Sequence, residues 1–114
     1  QALSQANVLF AVARDDDGQA LACGAVVLAP HWGEVKRMFV QPAWRGRGVS
    51  RALLDFLEQE ARGRGCRRLM LETGILQPEA LGLYERAGFV RCGPFGDYAE
   101  DPFSVFMQKD LPAA

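Results

Sequence analysis

Histidine is nearly missing from this sequence: His31 is the only one in 114 residues. Histidine-based metal clusters and Ser/His/Asp triads are thereby nearly excluded. Cysteine is sparse and scattered, as Cys23, Cys66 and Cys92, with no CxxC pair. That pattern argues against a disulfide framework or a zinc site and suits a reduced, cytoplasmic protein. A signal peptide is not evident, and no apolar run approaches the roughly 20 residues that cross a bilayer, so no membrane partner is expected. Internal repeats, low-complexity tracts and linkers are lacking, so residues 1–114 read as one domain. Neither sign of charge dominates: the net charge is -1, and nothing global argues for nucleic acid.

What is present is ordinary globular material, 49% hydrophobic and 24% charged. The charges are unevenly placed. Residues 34–68 hold nine basic and four acidic side chains, and the rest of the chain holds four basic and ten acidic ones. A basic middle in an acidic chain suggests one anionic ligand held locally. It carries no aromatic platform or recognition motif for nucleic acid beside it.

Apolar runs at 8–13 and 20–28 flank Asp15-Asp16-Asp17-Gly18, a strong hairpin signal. A third strand is expected over 34–40, ending at Gln41-Pro42. From Gly48 the period becomes helical, with Val49, Ala52, Leu53, Phe56, Leu57 and Ala61 on one stripe and stops at Gly63 and Gly65. Residues 68–72 read as a strand, 78–84 as a second helix opened by Pro78 and closed by Gly88, and 89–92 and 103–109 as closing strands. Alternation in the middle requires a parallel crossover while the ends look antiparallel. The expected fold is therefore α/β (α+β), with a mixed, mostly antiparallel central sheet and a β-α-β-α-β-β core.

The most informative stretch runs from Met38 to Ser50, where a strand enters a Gly-rich turn that opens directly onto an amphipathic helix. Gly46 and Gly48 let the backbone approach a ligand with no Cβ in the way. The first helical N–H groups lack partners, and the macrodipole leaves partial positive charge there, so a phosphate fits. Arg45 and Arg47 add charge on the rim. The turn is not a P-loop, and Arg51 stands where a dinucleotide fingerprint needs its third glycine.

Arg45-Gly46-Arg47-Gly48-Val49-Ser50 resembles the acetyl-CoA motif R/Q-x-x-G-x-G/A of the GNAT superfamily, with Ser50 departing from Gly or Ala at the last position. The resemblance continues through Leu71-Glu72-Thr73, through Glu79 to Phe89 and through Ser104-Val105-Phe106-Met107, covering about residues 8 to 110. It implies a GNAT-like acyl-CoA acyltransferase fold of bacterial type and an N-acetyltransferase that uses acetyl-CoA as co-substrate. By that resemblance the pantetheine lies in a gap between strands, pairing with backbone around Met38, Phe39 and Val40. The pyrophosphate lies against amides from Arg45 to Arg51, and Gln77 is the amide nearest a family asparagine that contacts the cofactor.

The implied reaction is direct attack of an amine on the thioester in a ternary complex. An amine is mostly ammonium near neutral pH, so a base must take its proton. Glu34 is the first candidate, placed on the same strand face as Met38 and Val40. Glu72 is the second, at the C-terminal end of the parallel strand, and ordered water is a third route. Tyr84 matches the family tyrosine that protonates the leaving thiolate. The acidic, aromatic stretch at 95–102 is expected to border the acceptor site, where Asp97, Tyr98, Glu100 and Asp101 attract a cationic amine. Small-molecule amines and peptide or protein amines all remain open as acceptors. Family members carry a further strand and two helices before the first hairpin, so the N-terminal part of the usual fold is expected to be missing. The bare apolar sheet surface would favour a homodimer. The alternative reading is a non-catalytic acyl-CoA-binding or regulatory module.

Overall fold

The computed structural model describes residues 7–113. The first turn is built by Asp15, whose Oδ1 accepts from the N–H groups of Asp17 and Gln19 at 2.9 Å each, while Gly18 takes φ 84°. It joins β1 (Val8–Arg14) to β2 (Ala20–Ala29), and a tight turn at Pro30 and His31 leads into β3 (Trp32–Val40). Then follow α1 (Val49–Gly63), β4 (Arg68–Gly74), α2 (Pro78–Arg86), β5 (Val90–Cys92) and β6 (Ser104–Asp110). The strands form one sheet in the order β1-β2-β3-β4-β6-β5, parallel only between β3 and β4. The mixed, mostly antiparallel sheet expected from the sequence is the one found.

Both helices end by the same device. At α1 the Cys66 N–H bonds the Ala61 carbonyl and the Gly65 N–H bonds that of Arg62, each at 3.0 Å, with Gly65 at φ 89°. At α2 the Phe89 N–H bonds the Tyr84 carbonyl at 2.9 Å and the Gly88 N–H bonds that of Glu85 at 3.0 Å, with Gly88 at φ 100°. This is the Schellman pattern, and its usual apolar contact is present as an edge-on packing of the Tyr84 and Phe89 rings, 5.6 Å apart.

The core lies between α1, α2 and one face of the sheet. Leu53, Leu54, Leu57 and Ala61 of α1 meet Val26, Val35, Leu69, Leu71, Val105 and Met107 from the strands. Leu54, omitted from the expected stripe, is 1% exposed, whereas Phe56, included in it, is 50% exposed. Ala52 is exposed as well. The reason is where α1 sits: it packs mainly on β2, so Phe56 overhangs the margin beside edge strand β1.

Strand β3 contains the irregularity on which the site depends. Its pairing with β2 is regular from Ala29↔Trp32 to Ala25↔Lys36 and resumes at Cys23↔Phe39 and Ala22↔Val40. Arg37 and Met38 therefore oppose Gly24 alone, a β-bulge with Arg37 at φ 59°. One extra residue reverses the side-chain alternation. Val35, Met38 and Val40 consequently all point toward α1, and the Met38 sulfur fills the space where a Cβ on Gly24 would stand. Glu34 is on the opposite face, together with Lys36 and Phe39. The expectation that Glu34 shares a face with Met38 and Val40 is thus overturned, because simple alternation does not anticipate the bulge.

Candidate functional site

A wedge opens in the middle of the sheet. β3 and β4 pair only at Trp32↔Arg68, Gly33↔Leu69 and Glu34↔Met70. Beyond that apex β3 runs on to Val40 beside β2, and β4 runs on to Gly74 beside β6, without pairing to each other. The facing backbone edges therefore carry N–H and C=O groups with no strand partner, able to bond an extended ligand lying between them.

The wide end of the wedge leads to the Gly-rich turn. Pro42–Trp44 form a single 3-10 turn after Val40, and the chain then reaches Gly46 and Gly48 at φ 76° and 80°. A Cβ placed on either glycine would meet nothing within 4 Å, so the backbone is open to a ligand there. The first intrahelical bond of α1 runs from the Ala52 N–H to the Gly48 carbonyl, and no side chain caps the helix. The N–H groups of Gly46, Arg47, Gly48, Val49, Ser50 and Arg51 consequently have no backbone partner among the described residues. Such a run of free donors at the positive end of a helix is a cradle for a phosphate anion.

The arginines around it are already oriented. Arg45 donates from Nε to the Val40 carbonyl at 3.1 Å and lies over the Phe39 ring, while Arg47 lies over the Trp44 ring at 5.0 Å. Arg51 points instead at α2, donating to Asp55 at 3.0 Å and to the Arg86 carbonyl at 3.2 Å. The basic stretch read as one anion site is therefore divided. Of its nine members, Arg45, Arg47 and Arg51 sit at the turn, whereas Arg62 is in the last turn of α1 and Arg64, Arg67 and Arg68 follow its far end. A helix of 15 residues carries the chain about 22 Å from one group to the other.

Two carboxylates stand on the outer face near the apex, both close enough to act on Tyr98. Glu34 accepts a 2.6 Å hydrogen bond from the Tyr98 hydroxyl through Oε2, and Lys36 Nζ lies 3.9 Å from its Oε1. Glu72, on the same outer face of β4, accepts a hydrogen bond from the Ser104 hydroxyl. Tyr98 belongs to both: hydrogen bonding to Glu34, burial and the negative charges of Glu34 and Glu72 push its phenol up to about 12. The loop that carries it is held by aromatic packing, with Phe95 edge-on to Trp32, Tyr98 and Phe106. The Tyr98–Glu34 bond was not foreseen in the sequence, where the only signal was an aromatic residue within an acidic segment. Asp101 turns back on its own loop, accepting from the Phe103 N–H.

Tyr84 sits on the other side of the sheet. It is 7% exposed within the core cluster, and burial pushes its phenol up from the ordinary value. Carboxylates on one face and a phenol on the other thus flank the region of the wedge. Gln77 stands exposed at the start of α2, packed on Gly74, with its side chain making no cap to the helix.

Comparisons with known proteins agree with this architecture. Residues 1–89 match the family described as acetyltransferase (GNAT) family. The chain is similar to the IAA acetyltransferase of Azospirillum brasilense, at 46% identity over 113 residues covering 97% of this chain and 73% of that one. It is also similar to the N-acetyltransferase YsnE of Bacillus subtilis, at 44% identity over 99 residues covering 83% of this chain and 66% of that one. Among solved structures, an acyl-CoA N-acyltransferase from Klebsiella pneumoniae superposes with a TM-score of 0.93 at 43% identity, covering 96% of this chain and 76% of that one. The chain thus spans 66% to 76% of the length of these proteins.

Proposed function

The chain belongs to the GNAT acetyltransferase family, and from that premise we propose that it moves an acetyl group from acetyl-CoA to an amine by direct attack in a ternary complex. The observation that carries this reading is the wedge between β3 and β4, which leads from the level of Glu34 and Glu72 to the open Gly-rich turn. The pyrophosphate is assigned to the free amides of residues 46–51, with Arg45 and Arg47 on the rim. The pantetheine is assigned to the unpaired edge of β3 around Met38, Phe39 and Val40, where a backbone N–H also serves the developing oxyanion. Gln77 is assigned to the border of the same groove.

The acceptor amine approaches from the outer face. Glu34 takes its proton, with Glu72 as the second candidate and ordered water as a relay. Tyr98 holds Oε2 of Glu34 and orients the carboxylate, so Oε1, with Lys36 Nζ 3.9 Å away, is the oxygen that takes the proton. The amine nitrogen bonds to the thioester carbon, the C–S bond breaks, and the sulfur leaves as a thiolate that receives the Tyr84 proton. The raised phenol of Tyr84 keeps that proton available throughout the neutral range.

Thermal unfolding with and without excess acetyl-CoA tests the reading, with NADH and ATP as controls. Ligand at about a hundred times Kd adds roughly 2.7 kcal/mol. Each kcal/mol moves Tm by roughly 4–8 °C in a domain near this size. The expected result is a shift of about ten degrees or more with acetyl-CoA alone; an equal shift with ATP, or none, rejects the assignment.

A further inference from the structure

The outer face of the sheet continues past the carboxylates into a separate recess. At the starts of β3 and β4 an open cavity of about 470 Å³ is walled by Trp32, Met70 and Phe95 and edged by His31, Arg67, Arg68 and Asp110. It belongs to the same face as Glu34, since Met70 is the register partner of Glu34 and Trp32 that of Arg68. Two residues of strand separate those levels, so the cavity opens beside Met70 at the apex and extends about 7 Å from it to the level of Trp32 and Arg68.

The charges at its two ends are opposite. Toward the apex are Glu34 and Glu72. At the far rim the Arg68 guanidinium is neutralised by Asp110, Nε to Oδ1 at 2.6 Å. Arg67 has no carboxylate partner among the described residues, and its guanidinium touches only the Cys66 carbonyl at 3.5 Å. His31 adds an N–H donor beside it. An exposed, uncompensated arginine at the rim of an apolar recess is suited to a carboxylate.

We infer that this cavity receives the anionic end of the acceptor, which is an amine bearing a carboxylate on an apolar body about one dipeptide long. The inference rests on the acetyl-transfer reading, which places the amine at Glu34 and Glu72. An extended chain advances about 3.3–3.6 Å per residue, so two residues match the 7 Å interval and a free α-amino acid is too short to span it. Trp32, Phe95 and Met70 offer an apolar seat for the side chain between the charged ends.

Direct binding tests this without turnover. In a Trp44→Phe background Trp32 is the sole indole, and its fluorescence is titrated with glycyl-phenylalanine and with the C-terminal amide of the same dipeptide. The acid is expected to bind at least tenfold more tightly than the amide. Arg67→Ala should bring the acid to the affinity of the amide, and Arg67→Lys should restore part of the difference. Equal affinity for acid and amide, no binding of either at millimolar concentration, or an equal loss for both in Arg67→Ala overturns the inference. Acetyl-CoA stabilisation measured on the protein with Trp44 intact separates the two readings. If it is absent, the transferase assignment fails whatever the dipeptide does; if it is intact without acid preference, only the anion cavity fails.

Discussion

Tyr98 and Glu34 share a 2.6 Å hydrogen bond, and each alters what the other can do. The carboxylate raises the phenol to about 12, so the folded protein keeps the Tyr98 proton where an unfolded chain would release it near 10. Between those values the folded state binds more protons, so this contribution to stability is complete below about pH 10 and is lost as pH rises toward 12. In a Tyr84→Phe background, where Tyr98 is the remaining tyrosine, ultraviolet titration should give a midpoint near 12. Adding Glu34→Gln should move that midpoint down toward 10. Tyr84 itself makes a different prediction. Tyr84→Phe should lower kcat by about a hundredfold while the affinity for acetyl-CoA holds, a general acid's usual range being 10²–10⁴. Steady-state kinetics with acceptor at saturation checks it, and an unchanged kcat removes Tyr84 as the acid.

Two elements owe their shape to backbone conformations that most residues avoid. Arg37 holds φ 59° so that β3 can bulge against Gly24. A left-handed conformation costs an L-residue about 1–2 kcal/mol, and more for a β-branched one. Arg37→Val is therefore expected to lower stability in urea denaturation by the excess strain of a β-branched residue over arginine, while Arg37→Gly leaves it equal or higher. The same reasoning at Gly48 separates folding from binding. Gly48→Ala strains φ 80° but its Cβ meets no neighbour within 4 Å, so its cost in the free protein is confined to the backbone. The added side chain would instead occupy ligand space, and acetyl-CoA stabilisation should fall by more than the intrinsic Tm does.

At the scale of the whole molecule, a sheet opened down its middle needs a brace. The β1-β2-β3 and β4-β6-β5 halves share only three register pairs. α1 spans the division, packing on β2, β1 and β3 and reaching β6 through an ion pair of Glu58 with Lys109 at 2.6 Å. Both side chains are mostly shielded, 17% and 22% exposed, so the pair lies between the surface and interior cases. Glu58→Gln should cost about 1–2 kcal/mol, above the surface median and below the 3–5 kcal/mol of a fully buried pair. Equilibrium unfolding measures it. On the outer side the β1-β2-β3 half carries Phe10 and Phe39 at 60% and 52% exposure.

Local chemistry made much of this protein readable from its residues alone. The Asp15–Gly18 turn, the two glycine-terminated helices, the order of the elements and the Gly46–Gly48 turn all follow from interactions within a few residues of each other, and the family resemblance rests on the motifs they carry. Tertiary structure decided the rest. Which face of β3 presents Glu34 depends on a bulge specified by pairing with β2, a strand already passed in the chain. The burial of Leu54 and the exposure of Phe56 depend on which strand lies under α1. Tyr98 reaches Glu34 across 64 positions of sequence, and Arg67 stands far from Arg45 because α1 lies between them. Periodicity and motif spacing record what is near along the chain, whereas a site assembled across an open sheet depends on which distant residues the packing brings to one face.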